Sequence, residues 1–324
     1  MDEELIWDTA WKWLCERRKN APADADIWDL RFHRETEYPR IVNAVNELTY
    51  HLTPMLIYRR SKGDRLAQWS ARDALVLKWA AIHAEKVLPV HSRCEHGRGN
   101  GGSIASVHRL HQILQAGEYK FVLRTDIRGY YRNIVKTQLW FQIQRYVVDS
   151  RVKEIIRQYL WYSIEDGGDI YTPSTGIPRG CALSPLLGAS LLYHVDVRFS
   201  SVEDIYYARY MDDFMVLTRT RWRLRQCVAQ LNDYFDMRGF EPHPDKTFIG
   251  RTARGFDWLG AVFNEHGAAG LAPRSITRHR ERCLRLYEQA CRLGLSHSEA
   301  MLKVQTYRER WGLWASRLLP DESQ

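Results

Sequence analysis

Asp204-Ile-Tyr-Tyr-Ala-Arg-Tyr-Met-Asp-Asp-Phe-Met-Val-Leu-Thr218 is the stretch from which the rest of the chain is best understood. Two β-rich runs, 204–210 and 214–218, flank Met211-Asp212-Asp213, which predicts a hairpin with two adjacent carboxylates at its tip. Taken alone, such a pair is an ordinary solvated turn. Its weight comes from a second aspartate-bearing run, Lys120-Phe-Val-Leu-Arg-Thr-Asp126, which is again β-rich and is broken by Gly129. An amphipathic helical stretch follows over about 135–148. Asp126 and Asp212 are 212 − 126 = 86 positions apart, so they meet only if their strands share a sheet. Convergent carboxylates predict a hard cation. Mg²⁺ favours oxygen ligands and commonly bridges carboxylates to substrate phosphates. Two such ions about 3.5 to 4 Å apart would serve both oxygens of a phosphoryl transfer.

Working outward, apolar periodicity predicts helices over 5–18, about 37–52 (stopped near Pro54) and 71–88 (stopped by Pro89). Between the last two, Met55-Leu-Ile-Tyr-Arg-Arg-Ser-Lys-Gly-Asp-Arg-Leu66 is expected to form a basic hairpin turning at Lys62-Gly63-Asp64. The glycine-rich segment 91–106 is expected to be a flexible basic loop before a helix starting near Ile104. Gly176-Ile-Pro-Arg-Gly180 is a loop. Ser184-Pro185 makes a helix start, with the hydroxyl able to cap and proline tolerated in the first turn. A helix near 221–238, a hairpin over 256–263 and an Arg-rich helical tail from Pro273 complete the pattern, with a domain boundary near Leu271. No internal repeat is visible.

Composition narrows the class. The 324 residues are 45% hydrophobic and include twelve Trp, which excludes a disordered chain. A net charge of +8 with a pI near 9.2 favours a polyanionic partner without proving one. Six cysteines at irregular intervals, with no C-x-x-C pair, read as reduced thiols. An acidic start and the lack of a long apolar run predict a cytoplasmic protein without a membrane partner. His91, Cys94 and His96 invite a zinc reading but lack a second ligand pair.

Five segments now fall in order: Phe121-Val-Leu-Arg-Thr-Asp-Ile-Arg-Gly-Tyr-Tyr-Arg-Asn-Ile134, Gly176-Ile-Pro-Arg-Gly-Cys-Ala-Leu-Ser-Pro-Leu-Leu187, Tyr210-Met-Asp-Asp213, Pro244-Asp-Lys-Thr247 and Trp258-Leu-Gly260. Their order and spacing over about 55–265 resemble the motif series of reverse transcriptases, most of all the bacterial group II intron-like branch. That resemblance implies an α+β right-hand polymerase fold: fingers, a palm with an antiparallel sheet and helices, and a small helical thumb. The corresponding boundaries are 1–36 for an N-terminal helical extension, 37–118 for fingers, 119–271 for palm and 272–324 for thumb. It implies RNA-directed DNA synthesis, in which a DNA or RNA primer is extended along an RNA template with dNTPs. The expected cofactor is two Mg²⁺ ions, for which Mn²⁺ can substitute.

Residue by residue, the resemblance makes Asp126 and Asp212 the metal-bridging ligands, with Asp213 beside them and the Ile127 carbonyl completing the site. Tyr131 becomes the aromatic that excludes a 2′-hydroxyl, against the plain alternative of a core ring. Lys246 becomes the cation near the departing pyrophosphate, against an exposed loop lysine. Lys62, Arg65 and Arg72 become triphosphate-gripping residues of the fingers. Trp258, Leu259 and Gly260 become a primer-holding hairpin, with the glycine admitting the nucleic-acid backbone. Arg278 and Arg282 lie in a tail whose arginines would track phosphates. Gly180 falls in the template-contacting loop. Arg179 departs from the family pattern, which has glutamine there, and Arg132 stands where an acidic residue is common.

The tail after Leu271 is too short for a maturase or nuclease extension, and no Val-Thr-Gly signature of the retron branch is seen. The expected setting is thus a free-standing element or an antiphage defence system, with a dedicated noncoding RNA and an accessory protein as candidate partners. Two other functions stay open: a non-catalytic RNA-binding, maturase-like scaffold, and untemplated or protein-primed synthesis at the same site.

Overall fold

The computed structural model describes residues 2–59, 65–97 and 99–320. It is an α+β protein whose strands fall into three sheets, and the chain divides into two compact units, each built from non-contiguous segments.

The first unit comprises residues 1–90, 129–194 and 237–240. Its leading helix, Glu3–Arg17, buries Ile6, Trp7, Ala10, Trp11 and Leu14, the face that its helical period predicts. Trp7 stacks on Trp79 of helix Ala71–Glu85 with ring centroids 5.1 Å apart. Ser70 caps that helix by accepting from the Asp73 amide. Asp73 is itself buried and accepts from Tyr50, Thr53 and Ser70 hydroxyls, so its oxygens do not go unpaired.

The helix expected over 37–52 instead spans Arg34–Asn46, because Leu48 turns left-handed (φ 60°) and stops it. A short helix, Asp26–Phe32, precedes it. Helix Ala71–Glu85 ends three residues before the position expected from Pro89. The hairpin strands Met55–Arg59 and Arg65–Gln68 pair antiparallel as expected, while the turn at 62–64 lies outside the described residues. Two strands without a sequence signal, Ile164–Asp166 and Asp169–Tyr171, extend this sheet. Three residues each are too few to show a period. Ser184 is the first residue of helix Ser184–Leu191 and not its cap. Its hydroxyl turns back to donate to the Pro178 carbonyl at 2.6 Å, tying the Gly176–Gly180 loop to the helix.

The second unit comprises residues 91–128, 195–236 and 241–324. Its central sheet has the order Ile205–Tyr210, Asp213–Thr218, Phe121–Asp126, Phe248–Arg251, all antiparallel. The two inner strands are buried on both faces, which explains why they read as near-continuous apolar runs and not as alternation. One face, through Val122, Met215 and Leu217, shares a core with Val107, Leu110 and Leu114 of helix Gly102–Gln115. On the other, Phe214 meets Phe235 of helix Arg221–Arg238.

The expected 256–263 hairpin is a three-stranded meander, Phe256–Trp258, Ala261–Asn264 and Gly267–Leu271. Two antiparallel helices' worth of tail follow, Pro273–Arg292 and His297–Leu318, the latter opened by a capping box of Ser296 and Glu299. All six cysteines are free, four of them buried. Among the described residues no helix is long and apolar enough to cross a membrane.

Candidate active site

Strand register brings the distant aspartates together. Asp126 is the last residue of its strand and stands directly opposite Asp213, the first of its own. The turn between the hairpin strands places Asp212 beside them, and the Ile127 amide donates to the Asp212 carbonyl at 3.2 Å. The result is one carboxylate oxygen from each of Asp126, Asp212 and Asp213, all within 4.8 Å of one another. Among the described residues this is the one cluster of three or more His, Cys, Asp or Glu side chains close enough to hold an ion, so His91, Cys94 and His96 form no zinc site.

Three carboxylates this close resist ionising together. Burial, and then the charge of Asp126, push the Asp212 carboxyl from 3.8 up to about 6. The same two causes push Asp213 to about 7. The negative charge is only partly compensated by protein cations. Lys246 donates from Nζ to Asp126 Oδ2 at 2.5 Å, so this lysine is a partner of the cluster and not an exposed loop residue. Hard oxygen donors with excess negative charge, one of them already engaged by an ammonium, fit a divalent cation such as Mg²⁺.

Arg124 is the site residue that motif reading misses. It lies two positions before Asp126, hence on the same face of the strand. Its guanidinium reaches Asp213 Oδ1 at 3.5 Å and Asp257 Oδ2 at 3.4 Å, and donates to the Lys246 carbonyl at 2.7 Å. Period-two alternation within Arg124-Thr-Asp126 was the available signal. The segment carrying Lys246 is anchored further by Thr247, whose hydroxyl lies 2.7 Å from that of Thr125, and by His243, whose amide donates to the Asp126 carbonyl at 2.7 Å.

The hairpin containing Trp258, Leu259 and Gly260 belongs to the same unit. Leu259 (φ 47°) and Gly260 (φ 99°) both take the left-handed conformation that a two-residue hairpin turn requires. A Cβ on Gly260 would lie 3.1 Å from the Trp314 ring and 3.2 Å from Ser275 Oγ, so the space it leaves is used by the tail helices. Trp258 is buried and donates to Ser106 Oγ at 2.8 Å. On helix Pro273–Arg292, Arg274, Arg278, Arg282 and Arg285 follow helical spacing along one exposed face. The opposite side packs on the last helix, where His279 stacks on Trp311 with centroids 3.9 Å apart.

The remaining expected residues belong to the first unit. Tyr131 is buried, and its ring faces Gly188, where a Cβ would lie 3.3 Å from it. The loop Gly176–Gly180 is stitched to this segment: Gly176 donates to the Ile134 carbonyl at 2.8 Å and Ile177 to the Tyr131 carbonyl at 2.9 Å. Arg179, exposed, sits 5.6 Å over the Tyr131 ring, a cation–π contact. Gly180 is exposed and left-handed (φ 79°). Arg72 pairs with Glu37 at 2.9 Å. Lys62 and the side chain of Arg65 lie outside the described residues.

In this α+β chain an antiparallel sheet gathers three aspartates at its strand ends, a donor set that could hold a divalent cation. Residues 83–263, more than half of the chain, match the family described as "Reverse transcriptase (RNA-dependent DNA polymerase)", and the chain belongs to that family. No curated protein matches it. Among solved structures, apo telomerase from Candida tropicalis, truncated from its C-terminal domain, is similar at 12% identity and a TM-score of 0.43, over 59% of this chain and 43% of that one. Telomerase from Candida albicans in complex with a TWJ fragment of telomeric RNA is similar at 15% identity and a TM-score of 0.45, over 62% and 37%. The chain therefore spans less than half the length of these two telomerase chains.

Proposed function

We propose that this chain is an RNA-directed DNA polymerase that extends a DNA or RNA primer along an RNA template with dNTPs. The observation that carries the proposal is the meeting of Asp126, Asp212 and Asp213 within 4.8 Å, inside a match to the reverse transcriptase family. Asp126 and Asp212, with Asp213 and the Ile127 carbonyl, are the residues to hold Mg²⁺. When bound, a pair of such ions supplies charge stabilisation for the attacking and leaving oxygens of phosphoryl transfer.

The chain's own groups have separate tasks in this scheme. The sheet holds the carboxylates at fixed register, so no reorganisation is needed at the moment of reaction. Arg124 offsets the charge of Asp213. Lys246 donates one N–H to Asp126, and its other donors suit an anionic pyrophosphate leaving group. Tyr131, with its ring held by the Gly188 contact, is assigned the exclusion of a 2′-hydroxyl. The exposed arginine face of helix Pro273–Arg292, including Arg278 and Arg282, is assigned to phosphate contacts with the primer–template duplex.

Primer extension on an RNA template with Mg²⁺ tests the proposal, comparing wild type with Asp126→Asn and Asp212→Asn. Loss of product in both variants is expected; equal product from wild type and Asp212→Asn would end it. Tyr131→Val, assayed with mixed dNTP and NTP, is expected to admit ribonucleotides that the wild type rejects.

A further inference from the structure

The turn that presents Asp212 is conformationally costly. Met211 has φ 54°, in the left-handed region that residues with a Cβ disfavour, and no glycine or asparagine stands there to ease it. Such a conformation persists only where the surroundings impose it. Both backbone groups of Met211 are held by side chains. Its amide donates to His96 Nδ1 at 2.8 Å, and its carbonyl accepts from Arg209 Nη1 at 2.7 Å.

Each of the two side chains is fixed in turn. Arg209 is fully buried and donates from Nε and Nη2 to the two oxygens of Asp196, at 2.7 and 2.5 Å. Asp196 also accepts from the Tyr207 hydroxyl at 2.7 Å. A buried guanidinium held this way is fixed in orientation, and its Nη1 is aimed at the Met211 carbonyl. His96 is delivered by the chain before it. The Arg209 amide donates to the Arg93 carbonyl at 2.9 Å, and the Glu95 amide to the Arg209 carbonyl at 2.8 Å. Segment 93–95 is thus pinned along the edge strand Ile205–Tyr210 as a parallel bridge. Its next residue, His96, sits with its ring 5.7 Å from that of Tyr210 and with Nδ1 3.4 Å from Cys94 Sγ. The glycine-rich stretch expected to be a flexible loop is, at 93–96, a clamp arm on the hairpin.

We propose that His96 and Arg209 are positioning residues that lock Met211 in its left-handed conformation and so hold the Asp212 carboxylate where it meets Asp126 and Asp213. The proposal rests on those three aspartates forming the catalytic metal site. It makes the metal affinity of the site depend on two residues that touch neither metal nor substrate.

The test uses three substitutions, two at His96 and one at Met211. His96→Leu removes the acceptor, whereas His96→Asn places an amide oxygen at the δ position. Met211→Gly makes the left-handed turn intrinsically accessible, so the clamp becomes dispensable. Each variant is assayed for kcat and dNTP KM separately, for Mn²⁺ binding by electron paramagnetic resonance without substrate, and for thermal unfolding. His96→Leu is expected to weaken Mn²⁺ binding and lower kcat by about tenfold each, the loss expected when one enclosed N–H forfeits its acceptor. KM for dNTP is expected to stay within about twofold. His96→Asn is expected to retain most of both activities. In the Met211→Gly background, His96→Leu is expected to cost far less than in wild type.

Three results would overturn the clamp: His96→Leu with wild-type Mn²⁺ binding and kcat, His96→Asn as impaired as His96→Leu, or the same His96→Leu penalty with and without glycine at 211. Because His96 is not fully buried, its variants are expected to fold, and the glycine background keeps the test decisive if one unfolds early. Full activity in Asp212→Asn would instead defeat the underlying site assignment. An inactive Asp212→Asn beside an unaffected His96→Leu would defeat the clamp alone.

Discussion

Asp212→Asn keeps the shape of the side chain and removes its charge, so it separates the cost of the acidic cluster from its use. In the metal-free protein, burial and Asp126 raise the Asp212 carboxyl from 3.8 to about 6. At about 1.36 kcal/mol per pH unit, a rise from 3.8 to about 6 corresponds to a ceiling of about 3 kcal/mol against the folded state. Solvent reaching the cluster and relief shared with Asp213 bring the expected gain from the substitution to about 1–3 kcal/mol. The pH window follows from the direction of the shift. The unfolded carboxyl releases its proton near 3.8 while the folded one holds it to about 6. Wild-type stability therefore falls as pH rises between those values, and the penalty is constant above them.

The variant's advantage should be absent near pH 4 and complete at pH 7.5. Urea unfolding in EDTA at both pH values measures it, and repetition with saturating Mg²⁺ should reverse the order, since wild type gains binding energy that the variant lacks. A variant less stable than wild type in EDTA at pH 7.5, or a stability difference unchanged between pH 4 and 7.5, would refute the reasoning.

Other perturbations probe the surroundings. Arg124→Leu strips Asp213 of its guanidinium and the Lys246 carbonyl of a donor, and is expected to cost about 1.5–3 kcal/mol in urea unfolding while raising the pH at which polymerase activity reaches half its maximum. Gly176→Ala would drive a Cβ to 2.6 Å from the Arg132 carbonyl at a residue with φ 80°. A loss above about 2 kcal/mol is expected, and a wild-type unfolding midpoint would show that the 176–180 loop is not tied to the 130–134 segment. Arg278→Ala with Arg282→Ala should flatten the dependence of log affinity for primer–template duplex on log salt by about 1.4–1.8, measured by fluorescence anisotropy, with little change in kcat at saturating duplex.

Much of the candidate site was legible because its chemistry is carried by short local patterns. Asp126 closes a β-rich run, Asp212 and Asp213 sit at a hairpin tip, and each pattern needs only neighbouring residues to be recognised. The order of five such patterns was enough to bring the family into view, and the family match extends over the same segments. Boundaries were less legible where a residue turned against its propensity: Leu48 ends a helix that periodicity would carry further, and Ser184 spends its hydroxyl on a distant carbonyl instead of a cap.

What no local pattern could supply was which distant side chain meets which group of the site. Lys246 is 120 residues from Asp126, and His96 is 115 from Met211. Which of many lysines and histidines meets a given oxygen or amide is decided by sheet register and by the edge that a passing segment happens to cover. Residue type determined what could bind a cation; strand pairing, through hydrogen bonds between residues far apart in the chain, determined that three particular carboxylates would meet.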